Sequence, residues 1–253
     1  MSRPRREQTG NLPTAHADAN VSRSSTQSGE PVPALEARLK AADERLSRAA
    51  KALEPKHKGG ELEEYVAARA ALLSLERAVA SAKGDEYAEP VKFPVRWCTG
   101  APLPHLLAND DRTFLIFLVD RPDPNWDGTT LTVKNPADGR LESLALVEFV
   151  GCASVKLGSP NDEVLHGHPL HKKGLEGYTA QVVRNSRWLA ELDRINSVHP
   201  QYNPDRWRKL NHFIFWFHDT TFECAAESYK VELCDASFAD LLARVSQRLS
   251  ELG

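Results

Sequence analysis

Large apolar residues fill positions 213–217, and a second apolar-rich run occupies 222–231, with Asp219 and Thr220 between them. Two such runs around a short polar break predict a β-hairpin, because side chains along a strand point alternately to its two faces. With Asp219-Thr220 as the turn, Phe217 faces Phe222, Phe215 faces Cys224 and Phe213 faces Ala226. One face is then uniformly apolar and belongs to a core. The same register places His212, Ile214, Trp216 and His218 opposite Glu227, Ala225, Glu223 and Thr221. That second face mixes imidazole, indole and carboxylate groups.

Elsewhere the period changes. Leu35, Leu39, Ala42, Leu46, Ala49 and Leu53 recur at alternating spacings of four and three, which predicts an amphipathic helix over 34–53. Pro55, Gly59 and Gly60 end it, and Leu62, Tyr65, Val66, Leu72, Leu73, Leu75 and Val79 mark a second helix. The two predict an antiparallel helical hairpin at 34–84, and a charged linker places a domain boundary near residue 88. Beyond it, 113–119 is apolar on both faces and predicts a central strand; 129–133 predicts a short strand, and 144–157 a long one bulged at Gly151. Residues 91–98, broken by Pro94, make an edge strand at best. Residues 186–198, and a last segment opened by Ser237 with Asp240 three positions on, predict helices.

Strands in sequence without regular β-α alternation predict an α+β fold. The expected domain, 88–253, is a mostly antiparallel sheet of at least five strands with helices on one face. Residues 1–33 hold only Met1, Leu12, Val21 and Val32 as large apolar groups and predict a disordered tail.

Composition narrows the function classes. The chain has 253 residues, 41 % of them hydrophobic, which is enough for a sizeable core. Lys and Arg number 32 against 35 Asp and Glu, for a net charge of −3, so no basic field points to nucleic acid. No run approaches the roughly 20 apolar residues that span a bilayer. Cys98, Cys152, Cys224 and Cys234 include no C-x-x-C pair and follow no secretory signal, which points to a reduced, soluble, cytoplasmic protein. Cys152 and Cys224 lie among apolar neighbours and are expected to be inert core thiols. G-x-S-x-G, P-loop and G-x-G-x-x-G motifs are absent, so serine hydrolase, nucleoside triphosphatase and dinucleotide-binding readings lack their hardware.

Two stretches carry chemistry. The loop over 158–179 gathers Asp162, Glu163, His166, His168 and His171. Imidazole and carboxylate are ligands of divalent transition metals, and H-x-H in an extended loop can aim two rings at one ion, so His166, His168 and His171 are candidate metal ligands. The plain alternative is a polar loop whose histidines bond backbone. The mixed face of the hairpin supplies His218 and Glu223, which with Glu163 form the candidate catalytic set, while His212, Trp216 and Asp162 are candidate binding residues. If the loop folds over that face, its histidines should come within about one side-chain length, ~8 Å, of His218, Trp216 or Glu223.

At GSPNDEVLHGHPL and HFIFWFHDTTFEC the chain resembles an uncharacterised family of bacterial proteins, over roughly residues 91–232. The resemblance implies a bacterial cytoplasmic protein and carries no residue role. The expected function is that of a binding or interaction protein with a polar cleft for a small-molecule ligand, and an arm, 34–84, that docks a protein partner or a second copy. The alternative is a metal-dependent hydrolase, its ion held by the loop histidines and its water activated by Glu163 or Glu223.

Overall fold

The computed structural model describes residues 29–53, 60–121 and 134–251. The expected tail over 1–33 therefore falls almost wholly outside the described residues, as does the short strand expected at 129–133.

Two helices open the described chain, α1 (Val32–Ala52) and α2 (Gly60–Lys83). Pro31 and Pro33 suit the first turn, where the missing amide hydrogen costs nothing. The helices run antiparallel: Glu36 near the start of α1 pairs with Lys83 at the end of α2, and Arg45 with Glu64 midway. Leu35, Ala42 and Ala49 of the heptad-like stripe are buried. Arg77 of α2 donates Nε to the Ala88 carbonyl (2.9 Å) and Nη2 to that of Gly174 (3.0 Å), while Glu76 accepts the Gly174 amide (3.0 Å). The arm is thus fastened to the rest of the molecule.

The remainder is α+β. Among the described residues every strand pair is antiparallel, and nine strands divide into two sheets. The first has the order β1 (Tyr87–Pro90), β6 (Ala180–Arg184), β7 (Asn211–Trp216), β8 (Thr221–Ala226), β5 (Ser154–Gly158). The second runs β2 (His105–Ala108), β3 (Thr113–Leu118), β4 (Glu142–Val150), β9 (Ser228–Ala236). Their inner faces meet in an aromatic core, where Phe149 lies against Phe215 and Phe222, and Phe117 against Phe217, at ring separations of 5.0–5.9 Å. Such offset and edge-on pairs add to the burial of large rings.

The outer face of the second sheet, with Phe114, Ile116 and Leu146, is covered by α5 (Phe238–Ser250) through Phe238, Leu241 and Val245. Ser237 caps this helix by accepting the Asp240 amide, as the sequence pattern predicts. The outer face of the first sheet lies under the histidine-bearing loop and α3 (Arg187–Asn196), which is followed by the short α4 (Pro204–Lys209).

Three local expectations are corrected. The expected strand over 144–157 is two strands in different sheets: Gly151 adopts a left-handed φ of 62° and turns a corner there, not a bulge. The second hairpin strand likewise splits at Glu227, whose amide bonds to the Val150 carbonyl, into β8 and β9 of opposite sheets. Within the hairpin Trp216 pairs with Thr221, Phe215 with Phe222 and Phe213 with Cys224, two positions from the expected register. The turn holds four residues, 217–220, closed by the Phe217 amide on the Thr220 carbonyl. An even shift keeps every side chain on its expected face.

Candidate functional site

The loop between β5 and β6 is held to the outer face of the first sheet at several points. The Asp162 amide bonds the His218 carbonyl (3.0 Å), and Thr221 Oγ1 donates to the Pro160 carbonyl (2.8 Å). Leu165, Leu170 and Leu175 pack on Val183, Ile214 and Trp216. His168 turns inward, its ring 5.2 Å from that of Trp216 and nearly perpendicular to it. The loop and the mixed face therefore meet, and His168 is the loop histidine that touches Trp216.

Beside it opens a cavity of about 590 Å³, floored by β5, β7 and β8 and walled by the loop and α3. Pockets of roughly 300–1,000 Å³ suit small organic ligands. His212 and Glu223 rise from the floor: Nε2 of His212 lies 2.8 Å from Oε2 of Glu223, a diagonal pair, since His212 sits opposite Ala225 and Glu223 opposite Ile214. Nδ1 of His212 lies 2.8 Å from Oγ of Ser186, which also accepts the Leu189 amide and so caps α3. With Nε2–H donating to the carboxylate, Nδ1 is left to accept the Ser186 hydroxyl.

Burial by itself would raise the Glu223 carboxyl, but the hydrogen bond from His212 and the neighbouring Lys156 ammonium outweigh it. The group lies below the ordinary carboxylate range. Lys156, directly across the strand pair from Glu223, reaches its Oε1 at 3.5 Å. The same ammonium stands 3.7 Å over the ring of Trp188, which meets His212 edge-on at 4.9 Å. His168 is held below its ordinary value, chiefly by burial, and its Nδ1 accepts the Leu170 amide at 3.2 Å. It is therefore a neutral ring carrying hydrogen on Nε2. Glu86, Glu191 and Arg187 complete the polar lining, and Val164 and Pro169 supply apolar wall.

The other expected site residues are placed differently. His218 joins Asp162 and Tyr178 in a separate cluster at the end of the sheet: His218 Nδ1 donates to Asp162 Oδ2 (2.9 Å), to which the Tyr178 hydroxyl also donates. The Asp162 hydrogen bond raises His218 above its ordinary value, while the Tyr178 and His218 hydrogen bonds lower Asp162. Tyr178 itself is pushed up to about 12, first by burial and then by Asp162. His218 and Glu223 thus belong to different clusters. Glu163 is exposed, and Trp216, 0 % exposed, lies beneath His168 as part of the core and does not line the cavity.

The metal-ligand set expected from His166, His168 and His171 does not assemble. The helical turns Asp162–Gly167 and those that follow leave His166 and His171 exposed, while His168 faces inward. Among the described residues, no three His, Cys, Asp or Glu side chains are arranged to hold a metal ion.

Sequence reasoning missed Lys156, Ser186, Trp188, Glu86, Arg187 and Glu191. The Lys156–Glu223 pair follows from cross-strand register once β5 is set beside β8, a pairing that treating 144–157 as one strand concealed. Among the described residues, no helix is long and apolar enough to cross a membrane. No protein-family model, no curated protein and no solved structure matches the chain.

Proposed function

We propose that the protein is a small-molecule-binding protein whose cleft takes an organic cation, an amine or quaternary ammonium with an apolar portion. One observation carries the reading: the Lys156 ammonium lies over the Trp188 ring at 3.7 Å and beside Glu223 Oε1 at 3.5 Å. An aromatic face with an adjacent carboxylate is the arrangement in which ammonium ligands are recognised. Lys156 is half-exposed on a flexible stem, so a ligand cation displaces it into water at little cost. Glu86, Glu191 and Glu223 then outnumber Arg187, which leans toward Asp85 at 3.4 Å. Glu223 is kept ionised by His212, and Val164 and Pro169 offer contact to an apolar tail.

Titration calorimetry with tetramethylammonium, benzylamine and a diamine, against benzoate and citrate as anionic controls, tests the reading. Amines should bind and anions should not. Glu223→Gln should weaken binding by at least about tenfold, the loss of one charge-assisted contact worth roughly 1.5–3 kcal/mol. Lys156→Ala should tighten it. Preference for the carboxylates, or indifference to both substitutions, overturns the proposal.

Metal-assisted hydrolysis has less support, since the three loop histidines diverge. Docking through the arm rests on Leu62 and Val66 of α2, 53 % and 58 % exposed; Leu35, Ala42 and Ala49 of the α1 stripe are already buried. Sedimentation of the full chain at increasing concentration decides whether the arm joins copies.

A further inference from the structure

Two of the four cysteines meet. Cys152 Sγ lies 3.3 Å from Cys224 Sγ, although 72 positions separate them in sequence. Cys152 stands in the corner between β4 and β5, next to Gly151 and partly open to solvent. Cys224 is in the middle of β8, 0 % exposed, on the face opposite Glu223 and inside the core between the sheets. A disulfide bond is about 2.05 Å long, so the sulfurs must close by a little over 1 Å.

We propose that Cys152 and Cys224 form a reversible oxidation site, at which a hydroperoxide oxidises Cys152 and Cys224 then closes an intramolecular disulfide. In the first step the Cys152 thiolate attacks the terminal peroxide oxygen; the O–O bond breaks, an S–O bond forms, and the alkoxide or hydroxide released takes a proton from solvent and departs as alcohol or water. Cys152 is then a sulfenic acid. In the second step the Cys224 sulfur attacks the Cys152 sulfur, the S–S bond forms, and the hydroxyl leaves as water with the Cys224 proton. Two electrons pass from the thiol pair to one peroxide, and a dithiol reductant reverses the change.

The two thiols are unequal in the way these steps need. The hydrogen bond from Cys224 lowers Cys152 to about 6, so it carries thiolate at neutral pH, while burial above all pushes Cys224 up. The expectation that both are core thiols is corrected for Cys152, which its corner position leaves partly open to solvent. Among the other thiols, Cys234 lies against Arg244 Nη2 at 2.9 Å and faces the separate core beneath α5.

Treatment of the full-length protein with hydrogen peroxide, followed by non-reducing peptide mapping by mass spectrometry, tests the proposal. The expected product is one cross-linked Cys152/Cys224 peptide lighter by two hydrogens, lost on treatment with dithiothreitol. Cys152→Ser should abolish it, and Cys224→Ser, which keeps a hydroxyl to donate to Cys152 but cannot close the disulfide, should leave a Cys152 sulfenic acid that dimedone captures. The native chain should also melt at higher temperature once oxidised, since the new bond ties the corner of one sheet to the other. A Cys152 that stays reduced, that passes to sulfinic acid without cross-linking, or that links to Cys98 or Cys234 instead overturns it.

Discussion

His212 joins two elements by its two nitrogens: Nε2 lies 2.8 Å from Glu223 Oε2 on β8, and Nδ1 lies 2.8 Å from Ser186 Oγ at the start of α3. One buried ring therefore fixes the wall of the cleft to its floor. Glu223→Ala leaves Nε2–H without a partner and should cost about 1–3 kcal/mol. Ser186→Ala removes both the helix cap and the partner of Nδ1, and should cost about 1–2 kcal/mol. Urea denaturation measures both, and losses below about 0.5 kcal/mol, the range of ordinary surface substitutions, would refute the bracing role.

The pair His218–Asp162 predicts a pH window. His218 is raised from 6.5, so its contribution to stability is complete below that value and is lost as pH rises through the folded value. Asp162 is lowered from 3.8, so its contribution is present above 3.8 and is lost as pH falls through the folded value. The pair is therefore strongest between the two. His218 is 41 % exposed, so the effect on stability is small and a direct titration is the better readout. NMR titration should find His218 above 6.5 and Asp162→Asn should bring it down; an unchanged midpoint would contradict the contact.

Gly151 turns the corner between the sheets with φ of 62°, and a Cβ there would come within 2.9 Å of Glu227 Cγ. Gly151→Ala should destabilise by about 1–2 kcal/mol, the cost of a left-handed non-glycine residue, plus whatever part of the clash with Glu227 that side chain does not relieve by moving. Thermal denaturation checks this, and a neutral or stabilising outcome would mean that the corner is not built as described.

Arg77 holds the helical arm through the carbonyls of Ala88 and Gly174. Arg77→Ala leaves both acceptors without this partner and removes two charge-assisted bonds, so a loss of about 1.5–3 kcal/mol is expected, with faster proteolysis between α2 and β1. An arm as resistant as in the parent chain would show that other contacts hold it.

What the sequence conveyed and what it concealed divide along physical lines. Phe213 and Phe215, with Phe217 just beyond the strand, fixed the face of β7 that meets the other sheet, because the alternation of faces survives any even shift of register. The shift itself was hidden because Asp-Thr does not demand a two-residue turn, and a four-residue one keeps the same faces. Strand β6 escaped notice because Ala180–Arg184 is buried on both faces and shows no alternation. The split of 144–157 turned on a single glycine conformation, for which bulge and corner share one signature. His168 was legible as a loop histidine, but its inward turn depends on Leu165, Leu170 and Leu175 docking on Trp216, a long-range contact. Lys156, Trp188 and Ser186 are unremarkable residues in sequence, made a site only by the meeting of β5, β7, β8 and α3.

The proposed ligand site is the cleft between the histidine-bearing loop, α3 and the mixed face of β7 and β8. Amide and indole chemical-shift mapping of the full chain during titration with benzylamine tests it most directly. The account predicts saturable shifts at the Trp188 indole and at the amides of Lys156, Gly167 and Glu223, absent in Glu223→Gln. Shifts confined to other surfaces, or equal shifts in that variant, would contradict it.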